Sequence, residues 1–467
     1  MIINTFSVDG LFDLIDAELT FRPDLNVLVG RNGAGKTSVL ALLSSLIRLD
    51  FEAIKAMPFK SAKLEILDDQ SESIVIEATN TQNDSFISIA RAPYGQVRVP
   101  LIDLDYLYRQ SVRRMASKES LSSSRIDSTQ NQQDVIQQWF AVSSEFQRHA
   151  RLTFVRLDRT ILAMDPDGVE SIDMPSPAIR DRARPAPKRD PIDEVIRVTH
   201  AKYIDFRNQV DAIRANTYKD MTRLHFAPIK HLGRKANILA LRKKLTQLKI
   251  RVGGSALAAD MQTITDEFFE SLEVLLKQTE NQAQLKRSGR KSLAEESIQL
   301  LLELKERQTE SLLNIFDAEQ QKLEAAGAPI KKYIDTLSRF LSESGKSLKF
   351  DEESFQLGFW IPAARAEAAG TVRALKDLSS GERQILIVLT YLAFMSGSKS
   401  IFIIDEPELS LHLRWQSYLV DALRDLRPEG GQIIIATHAP EIAGRARENS
   451  IQLTQKYLPV LRKTRHE

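Results

Sequence analysis

The sequence predicts an α/β fold in which a mixed sheet flanked by helices is split by a helical insertion. Strand-like segments are concentrated toward the two ends of the 467-residue chain, and a long helical pattern separates them. The stretch "LNVLVGRNGAGKT" (25–37) places an apolar strand, a glycine-rich loop and a helix start in direct succession. These patterns are typical of one α/β domain interrupted by a second unit.

The predicted domain boundaries follow from changes in composition. The α/β domain is predicted to occupy 1–158 and 346–467, a Pro- and Arg-rich linker 159–192, and the helical insertion 193–345. The insertion carries apolar residues at helical spacing, which predicts a helix packed in a bundle. This predicted stripe consists of Leu301, Leu304, Leu312, Ile315 and Leu323.

The elements of the α/β domain are predicted in chain order from alternation and apolar runs. A helix is expected to begin at Lys36, and the Ser-rich stretch 116–134 reads as a loop. The predicted strands of the first half contain "LNVLVG", "AKLEILD", "SIVIEAT", "FISIARA" and "RLTFVRLDR". Those of the second half contain "LKFD", "FQLGFWI", "SIFIIDEPE" and "GQIIIATHAP".

The composition excludes several chemistries. The chain has no cysteine, which rules out disulfides, thiolate zinc sites, iron–sulfur clusters and a cysteine nucleophile. Its net charge of +2 identifies no partner. The start "MIINTFSVDG" lacks the pattern of a signal peptide, and the longest apolar stretch, Ile385–Met395, is too short for a bilayer and predicts a buried helix. We therefore expect a cytoplasmic protein without membrane contact.

The loop "GRNGAGKT", Gly30 to Thr37, matches the phosphate-binding pattern G-x-x-x-x-G-K-[ST]. Its glycines let backbone N–H groups point at phosphate oxygens, and the helix start adds positive potential. Lys36 is predicted to reach the β- and γ-phosphates of a nucleoside triphosphate, and Thr37 to hold Mg²⁺. The predicted nucleotide-binding residues here are Arg31, Asn32, Gly33, Ala34, Gly35, Lys36, Thr37 and Ser38. The alternative is a glycine-rich turn before an ordinary helix.

A second pattern is the apolar strand "IFII" that ends in two carboxylates. Burying carboxylates is costly unless they have a task at the strand's edge. Asp405 is placed to bind Mg²⁺, and Glu406 to orient or deprotonate an attacking water. The alternative is an ordinary strand followed by a turn, but the phosphate-binding loop makes the functional interpretation the stronger one.

The stretch "LSSGERQ", Leu378–Gln384, resembles the signature motif of ABC-type ATPases. Ser379 takes the place of the signature serine and Gly381 that of its second glycine, while Ser380 and Glu382 depart from the commonest form. The resemblance implies that these four residues bind the γ-phosphate of ATP held by another subunit. A serine hydroxyl and a bare glycine N–H at a helix start do form an anion site. The alternative is a simple N-cap with a following glutamate.

Two more segments extend the resemblance. "PELSLHLRWQ", Pro407–Gln416, is similar to the D-loop of this family, and His438 after "IIIAT" takes the place of its switch histidine. The family therefore implies that Lys36, Glu406 and His438 are catalytic. A glutamine of the family's Q-loop is not identified, and Gln110 is only a conceivable candidate.

Within this family the chain resembles the soluble SMC-like, RecF-like and OLD-like branches, because a large helical insertion separates its two halves. The insertion is short for an SMC arm, and the chain has no cysteine to form a zinc hook. The sequence after His438 lacks the acidic cluster that would suggest a fused nuclease. The layout looks like stand-alone OLD-like ATPases, many of which act in anti-phage defence of the PARIS or Septu type. The resemblance implies a homo-oligomer joined through ATP, and a separately encoded nuclease or toxin as partner.

A basic stretch leaves an alternative open. Arg223–Arg251 contains nine lysines or arginines and no acidic residue, a pattern that can bind nucleic-acid phosphates. It can equally contact an acidic protein or form a solvated helical face beside acidic neighbours. A DNA repair or recombination ATPase is therefore the alternative function, and a transporter's ATP-binding subunit a more remote one.

Overall fold

The structure is a computed structural model. It describes residues 1–68, 70–81, 84–91, 95–101, 126–155, 161–164, 190–225, 237–254, 266–274, 277, 293–351, 353–361 and 372–453. The chain divides into two compact units. The first consists of Met1–Lys202 with Lys332–Glu467, and the second of Tyr203–Lys331.

The strands in chain order are β1 (Ile2–Leu11), β2 (Ile15–Thr20), β3 (Leu25–Val29), β4 (Phe59–Leu67), β5 (Ser73–Asn80), β6 (Ser85–Arg91), β7 (Gly95–Pro100), β8 (Leu152–Val155), β9 (Ile161–Met164), β10 (Ser347–Phe350), β11 (Leu357–Trp360), β12 (Val372–Arg373), β13 (Ile401–Asp405), β14 (Gln432–Thr437) and β15 (Ser450–Gln452). The labelled α-helices are α1 (Lys36–Arg48), α2 (Phe51–Ala56), α3 (Ile126–His149), α4 (Pro191–His225), α5 (Ile238–Gly254), α6 (Leu293–Leu341), α7 (Ser380–Thr390), α8 (Leu413–Leu426) and α9 (Pro440–Arg445).

The sheet that positions the site has the order β15-β3-β14-β13-β8-β9. Its strands run parallel except for the β8–β9 pair. Every residue of β13 and β14 is buried, as expected for parallel strands covered on both faces. Because parallel strands end at the same edge, the loops after β3, β13 and β14 meet there.

A second six-stranded sheet, order β2-β1-β4-β5-β6-β7, is antiparallel. Gln432, at the start of β14, links it to the parallel sheet. The Gln432 side chain accepts a hydrogen bond from the N–H of Ile3 (2.8 Å) and donates to the carbonyl oxygens of Ile3 (2.9 Å) and Arg22 (2.8 Å). Its polar atoms are thereby satisfied in a completely buried position.

The apolar stretch after the signature-like motif forms the predicted buried helix. α7 ends at Thr390 and continues as a π-helical turn, Tyr391–Met395. The interior residues of this helix pack in the core, and the Tyr333 hydroxyl shares a buried hydrogen bond of 2.7 Å with the Thr390 hydroxyl. A three-stranded antiparallel sheet, β10-β11-β12, precedes it in the chain.

The second unit is built from helices, with a core between α5, α6 and the helical residues 266–274. The buried residues of α6 include Leu302, Thr309 and Phe316, which recur every seven residues. The predicted stripe is wrong for Leu301, whose exposed fraction is 43%. The spacing of leucines misses the packed face, because buried polar residues such as Thr309 belong to it.

The predicted loop 116–134 is wrong over its last residues, because α3 begins at Ile126. Trp139, Val142 and Phe146 of this helix are fully buried in the core. A helix anchored by these residues extends N-terminally into a polar sequence that carries no apolar pattern of its own. Gln110 and most of the predicted linker 159–192 lie outside the described residues.

Candidate functional site

The glycine-rich loop joins β3 to α1, as the sequence predicts. Gly33 and Gly35 have φ of +82° and +88°, in the left-handed region that favours glycine. Gly35 has a second constraint, since a Cβ atom there would lie 2.1 Å from Cδ1 of Ile15. The N–H of Ala34 donates to the carbonyl of Arg31 (3.0 Å), which closes the turn.

The predicted loop residues differ in exposure. Arg31, Asn32, Gly33 and Thr37 are exposed, Gly35 and Ser38 are half-buried, and Ala34 and Lys36 are buried. The exposed ones present the outer rim of the loop and the hydroxyl of the first helical turn to solvent. A ligand can therefore approach the backbone of this loop from outside the protein.

Lys36 is buried at the base of the loop, with only 5% of its side chain exposed. Its Nζ donates to the carbonyl of Gly30 (3.1 Å) and lies 3.5 Å from Oε1 of Glu406. The hydrogen bond to the Gly30 carbonyl folds the Lys36 side chain back over the glycine-rich loop. The structure thus brings together Lys36, predicted to reach the β- and γ-phosphates, and Glu406, predicted to orient or deprotonate the attacking water.

The strand β13 ends in the two predicted carboxylates. Asp405 is its last residue and is buried. Glu406 follows with φ of +51°, a conformation that a non-glycine residue adopts at a cost. The N–H of Glu406 donates to the carbonyl of Ala436 (2.9 Å), so the turn is fixed to the neighbouring strand β14.

His438, after β14, contacts the same carboxylate. Its Nδ1 hydrogen-bonds Oε2 of Glu406 and lies 3.1 Å from Oε1 of Glu408. Burial raises the pKa of the Glu406 carboxyl, and the nearby charge of Glu408 raises it further, while the hydrogen bond from His438 opposes both effects. A carboxyl with a raised pKa is a better proton acceptor than an ordinary glutamate.

Glu408 is a residue of the site that the sequence did not predict. One ligand atom from each of Glu406, Glu408 and His438 lies within 4.8 Å of the others. The resemblance assigns the whole segment Pro407–Gln416 to the D-loop and implies no separate role for the Glu408 carboxylate. The signal was present, since "DEPE" places a second acidic residue two positions after Glu406.

The signature-like turn forms a complete capping box at the start of α7. The Ser379 hydroxyl accepts from the N–H of Glu382 (3.3 Å), and the Glu382 carboxylate accepts from the N–H of Ser379 (2.8 Å). Ser379 and Ser380 are exposed, whereas Gly381 is buried. The local N-cap, weighed above as the alternative interpretation, is therefore formed, and it leaves both serines at the surface.

Glu382 has contacts that its predicted role did not include. Its carboxylate is 3% exposed and accepts from Lys346 at 2.8 Å on each oxygen and from the Ser344 hydroxyl at 2.8 Å. Burial raises the pKa of Glu382, but the hydrogen bonds from Lys346, Ser379 and Ser344 outweigh it and the pKa is lowered. The predicted ATP contact of Glu382 needs correction for its side chain, which is directed into the protein and holds the turn.

Packing leaves no room for a side chain at Gly381. A Cβ atom at this position would lie 2.6 Å from the carbonyl oxygen of Ser410 and 3.8 Å from the Trp415 ring. Ser410 belongs to the segment Pro407–Gln416. The signature-like turn and the D-loop-like segment are thus in backbone contact within one chain.

The basic stretch is described only in part, because residues 226–236 lie outside the described residues. Several of its described cations are paired with acidic neighbours. The pairs are Arg223–Asp220 (3.4 Å), Lys244–Glu310 (3.2 Å), Lys249–Glu273 (3.4 Å) and Arg251–Asp317 (3.0 Å). This pairing matches the interpretation as a solvated helical face and reduces the positive charge available to a nucleic acid.

Among the described residues, no helix combines the length and the apolar character needed to span a bilayer.

A glycine-rich loop with a buried lysine at one parallel strand end, beside a carboxylate pair at another, defines the class of P-loop nucleotide-binding domains. The family model "AAA ATPase domain" matches residues 1–443, and the chain belongs to this family. No curated protein matches the chain. Among solved structures, it is similar to the Smc head domain with an extended coiled coil bound to the C-terminal domain of ScpA from Pyrococcus furiosus. The identity is 12%, the match covers 97% of this chain and 93% of that chain, and the TM-score is 0.33.

Proposed function

We propose that the protein hydrolyses ATP as an ABC-type ATPase and that ATP joins two copies of the chain. The observation that carries this proposal is the convergence of Lys36, Glu406 and His438 at the ends of three adjacent parallel strands. Membership of the AAA ATPase domain family supports the nucleotide. The loop alone would bind a phosphate, but only the added base and histidine give it the groups for hydrolysis.

In this proposal each residue has one task. The loop N–H groups hold the phosphates, and Lys36 exchanges its contact with the Gly30 carbonyl for phosphate oxygens. Glu406 accepts the proton of the attacking water, for which its raised pKa is suited. His438 keeps the Glu406 carboxylate oriented through the hydrogen bond at Nδ1.

The residues proposed for Mg²⁺ fit that ion. Thr37 presents an exposed hydroxyl in the first turn of α1, and Asp405 a buried carboxylate at the end of β13. Hydroxyl and carboxylate oxygens are the ligands that Mg²⁺ prefers. When bound, the ion would neutralise charge on the β- and γ-phosphates.

The second copy is proposed to complete the site with the exposed end of its signature-like turn. Ser379 and Ser380 are accessible, and the capping box fixes the backbone N–H groups at the start of α7. A helix of eleven residues adds its dipole to this anion site. ATP binding would then assemble the oligomer, and hydrolysis would release it.

As the biological role we propose that this cycle restrains or releases a separately encoded nuclease or toxin in anti-phage defence. The support is the resemblance to OLD-like ATPases together with the separate helical unit, Tyr203–Lys331. The paired charges of the basic stretch give a DNA-clamping role less support.

The test of the ATPase proposal is Glu406→Gln, with the exposed Glu429→Gln as matched control. We expect the E406Q protein to bind ATP, to lose hydrolysis about 100- to 1,000-fold, and to remain oligomeric in ATP by mass measurement. The control should hydrolyse ATP and dissociate like the wild type. Normal hydrolysis by E406Q would show that Glu406 is not the base.

The role is tested separately. Co-purification of the adjacent gene's product with the E406Q protein in ATP, and its release from the wild type during turnover, would support effector control. Salt-dependent binding of duplex DNA, weakened by Lys243→Ala together with Arg242→Ala, would instead favour the repair function.

A further inference from the structure

Glu408 concentrates three hydrogen bonds on one oxygen. Its Oε1 accepts from the Thr437 hydroxyl (2.5 Å), the N–H of His438 (2.8 Å) and the N–H of Ala439 (3.0 Å). These donors are three consecutive residues at the end of β14. Only 5% of Glu408 is exposed, so the bonds form away from water.

The burial of Glu408 makes these hydrogen bonds costly to break. A buried carboxylate loses its hydration, and hydrogen bonds from backbone N–H groups compensate for that loss. Two of the bonds hold the backbone N–H groups of His438 and Ala439, and the third holds the side chain of Thr437. Alternative rotations of this turn would leave the Glu408 charge buried without donors.

The His438 ring itself is 42% exposed, so packing alone does not immobilise it. Its Nδ1 contacts Glu406 and lies 3.1 Å from Oε1 of Glu408. The orientation of the ring is therefore set by two carboxylates from the loop after β13, and by the backbone that Glu408 holds.

We infer that Glu408 is a positioning residue for ATP hydrolysis, which fixes the turn 437–439 so that the His438 ring faces Glu406 and the terminal phosphate. This inference rests on the ATPase function proposed above. Glu408 acts through His438 and does not itself touch the nucleotide.

A purely structural role is the competing explanation, because Ala439 is also the N-cap of the short helix α9. The two roles predict different coupling to His438. A positioning residue loses its effect when His438 is absent, whereas a structural residue lowers activity whether or not the imidazole is there.

The experiment is a double-mutant cycle with Glu408→Ala, His438→Ala and the combination, using full-length protein and ATP. We expect kcat of E408A to fall about 10- to 100-fold with the KM for ATP changed less than about threefold. The double variant should match H438A within about twofold, since E408A has nothing further to misplace. If the fold-losses in kcat of E408A and H438A multiply in the double variant, the inference is overturned.

Glu408→Gln and Thr437→Val guard against a variant that fails to fold. Glutamine keeps an oxygen for the three donors and should restore kcat to within about fivefold of the wild type, whereas valine removes one donor and should lower kcat about three- to tenfold. Wild-type kcat in T437V, or a kcat for E408Q no better than for E408A, would contradict the assignment.

Amide hydrogen exchange of the segment around 437–439 gives a readout that does not depend on turnover. E408A should exchange faster there than the wild type or E408Q, while α1 remains protected. Unchanged exchange would overturn the inference even if ATP hydrolysis is confirmed. Absence of hydrolysis by the wild type would overturn the proposed function as well, and so distinguishes the two failures.

Discussion

Lys36 with Glu406 and Lys346 with Glu382 are two ion pairs of the same chemical type within one unit, and they are built differently. Nζ of Lys346 lies 2.8 Å from both oxygens of Glu382, whose carboxylate also binds the Ser344 hydroxyl and a backbone N–H. Nζ of Lys36 approaches a single Glu406 oxygen at 3.5 Å.

The pKa directions follow the geometry. Hydrogen bonds lower the pKa of Glu382 despite its burial, whereas burial and the charge of Glu408 raise the pKa of Glu406. The tight pair stabilises a turn. The loose pair lies at the strand ends, where the proposed function places the terminal phosphate. We therefore expect mutations of the two lysines to affect different properties.

The largest expected effect concerns Lys36. Lys36→Met should reduce ATP turnover about 100- to 1,000-fold, because the phosphate loses its buried cation. The free energy of unfolding should fall by only about 1 kcal/mol, because the mutation removes one hydrogen bond to the Gly30 carbonyl and a long contact with Glu406. Steady-state hydrolysis and urea unfolding measure the two quantities, with the exposed Lys55→Met as control. If Lys36→Met lost much stability but kept its ATP turnover, the pair of Lys36 with Glu406 would be structural instead of functional.

Lys346→Met should show the opposite pattern. It leaves the Glu382 carboxylate 3% exposed without its cation, and removing one partner of such a pair costs about 3 kcal/mol of folding free energy. Urea unfolding measures this loss, and ATP binding to the protein that remains folded should persist. The neighbouring exposed Lys349→Met should be close to the wild type in stability. Equal stability of the two variants would show that the tight pair is not structural.

A smaller effect is expected at Gly381. Alanine would place Cβ 2.6 Å from the Ser410 carbonyl, which is backbone and gives way at a cost of about 1 to 3 kcal/mol. Gly444 is the matched control, because it is helical and a Cβ atom there meets no other atom within 4 Å. Gly444→Ala should leave the thermal midpoint unchanged or raise it. If Gly381→Ala and Gly444→Ala have the same thermal midpoint, the contact between Gly381 and Ser410 is not a tight one.

The smallest effect is the pH dependence of the tight pair. The pKa of Glu382 is lowered in the folded protein, so its stabilising contribution is complete above the ordinary value of 4.5 and is lost as the pH falls toward the folded value. The stability difference between the wild type and Glu382→Gln should therefore narrow as the pH falls below 4.5. Urea unfolding from pH 7 down to the acid limit of the folded protein tests this, and a gap that widens in acid would contradict the lowered pKa.

Much of the sheet β15-β3-β14-β13-β8-β9 could be predicted from the sequence, because its signals are local. An apolar run followed by glycines with φ above zero specifies β3, the loop and α1 without reference to other segments. The runs ending at Asp405 and Thr437 specify β13 and β14 in the same way. Parallel pairing then places their ends at one edge.

The remaining features depend on partners distant in sequence. Lys346 binds Glu382 across 36 residues, and Glu408 binds the backbone of His438 across 30. No regular spacing in the sequence connects these partners. The neighbours of Glu382 and Glu408 in the sequence therefore do not reveal what the two carboxylates bind. The Leu301 error has the same origin, since the buried face of α6 is chosen by the helices that cover it.

Gln432 connects the two six-stranded sheets. Its amide joins the first strand of one sheet to the start of a central strand of the other, through bonds that no water reaches. The Gln432 amide thereby adds buried hydrogen bonds between the two six-stranded sheets. We expect any sliding of one sheet past the other to require breaking these buried hydrogen bonds.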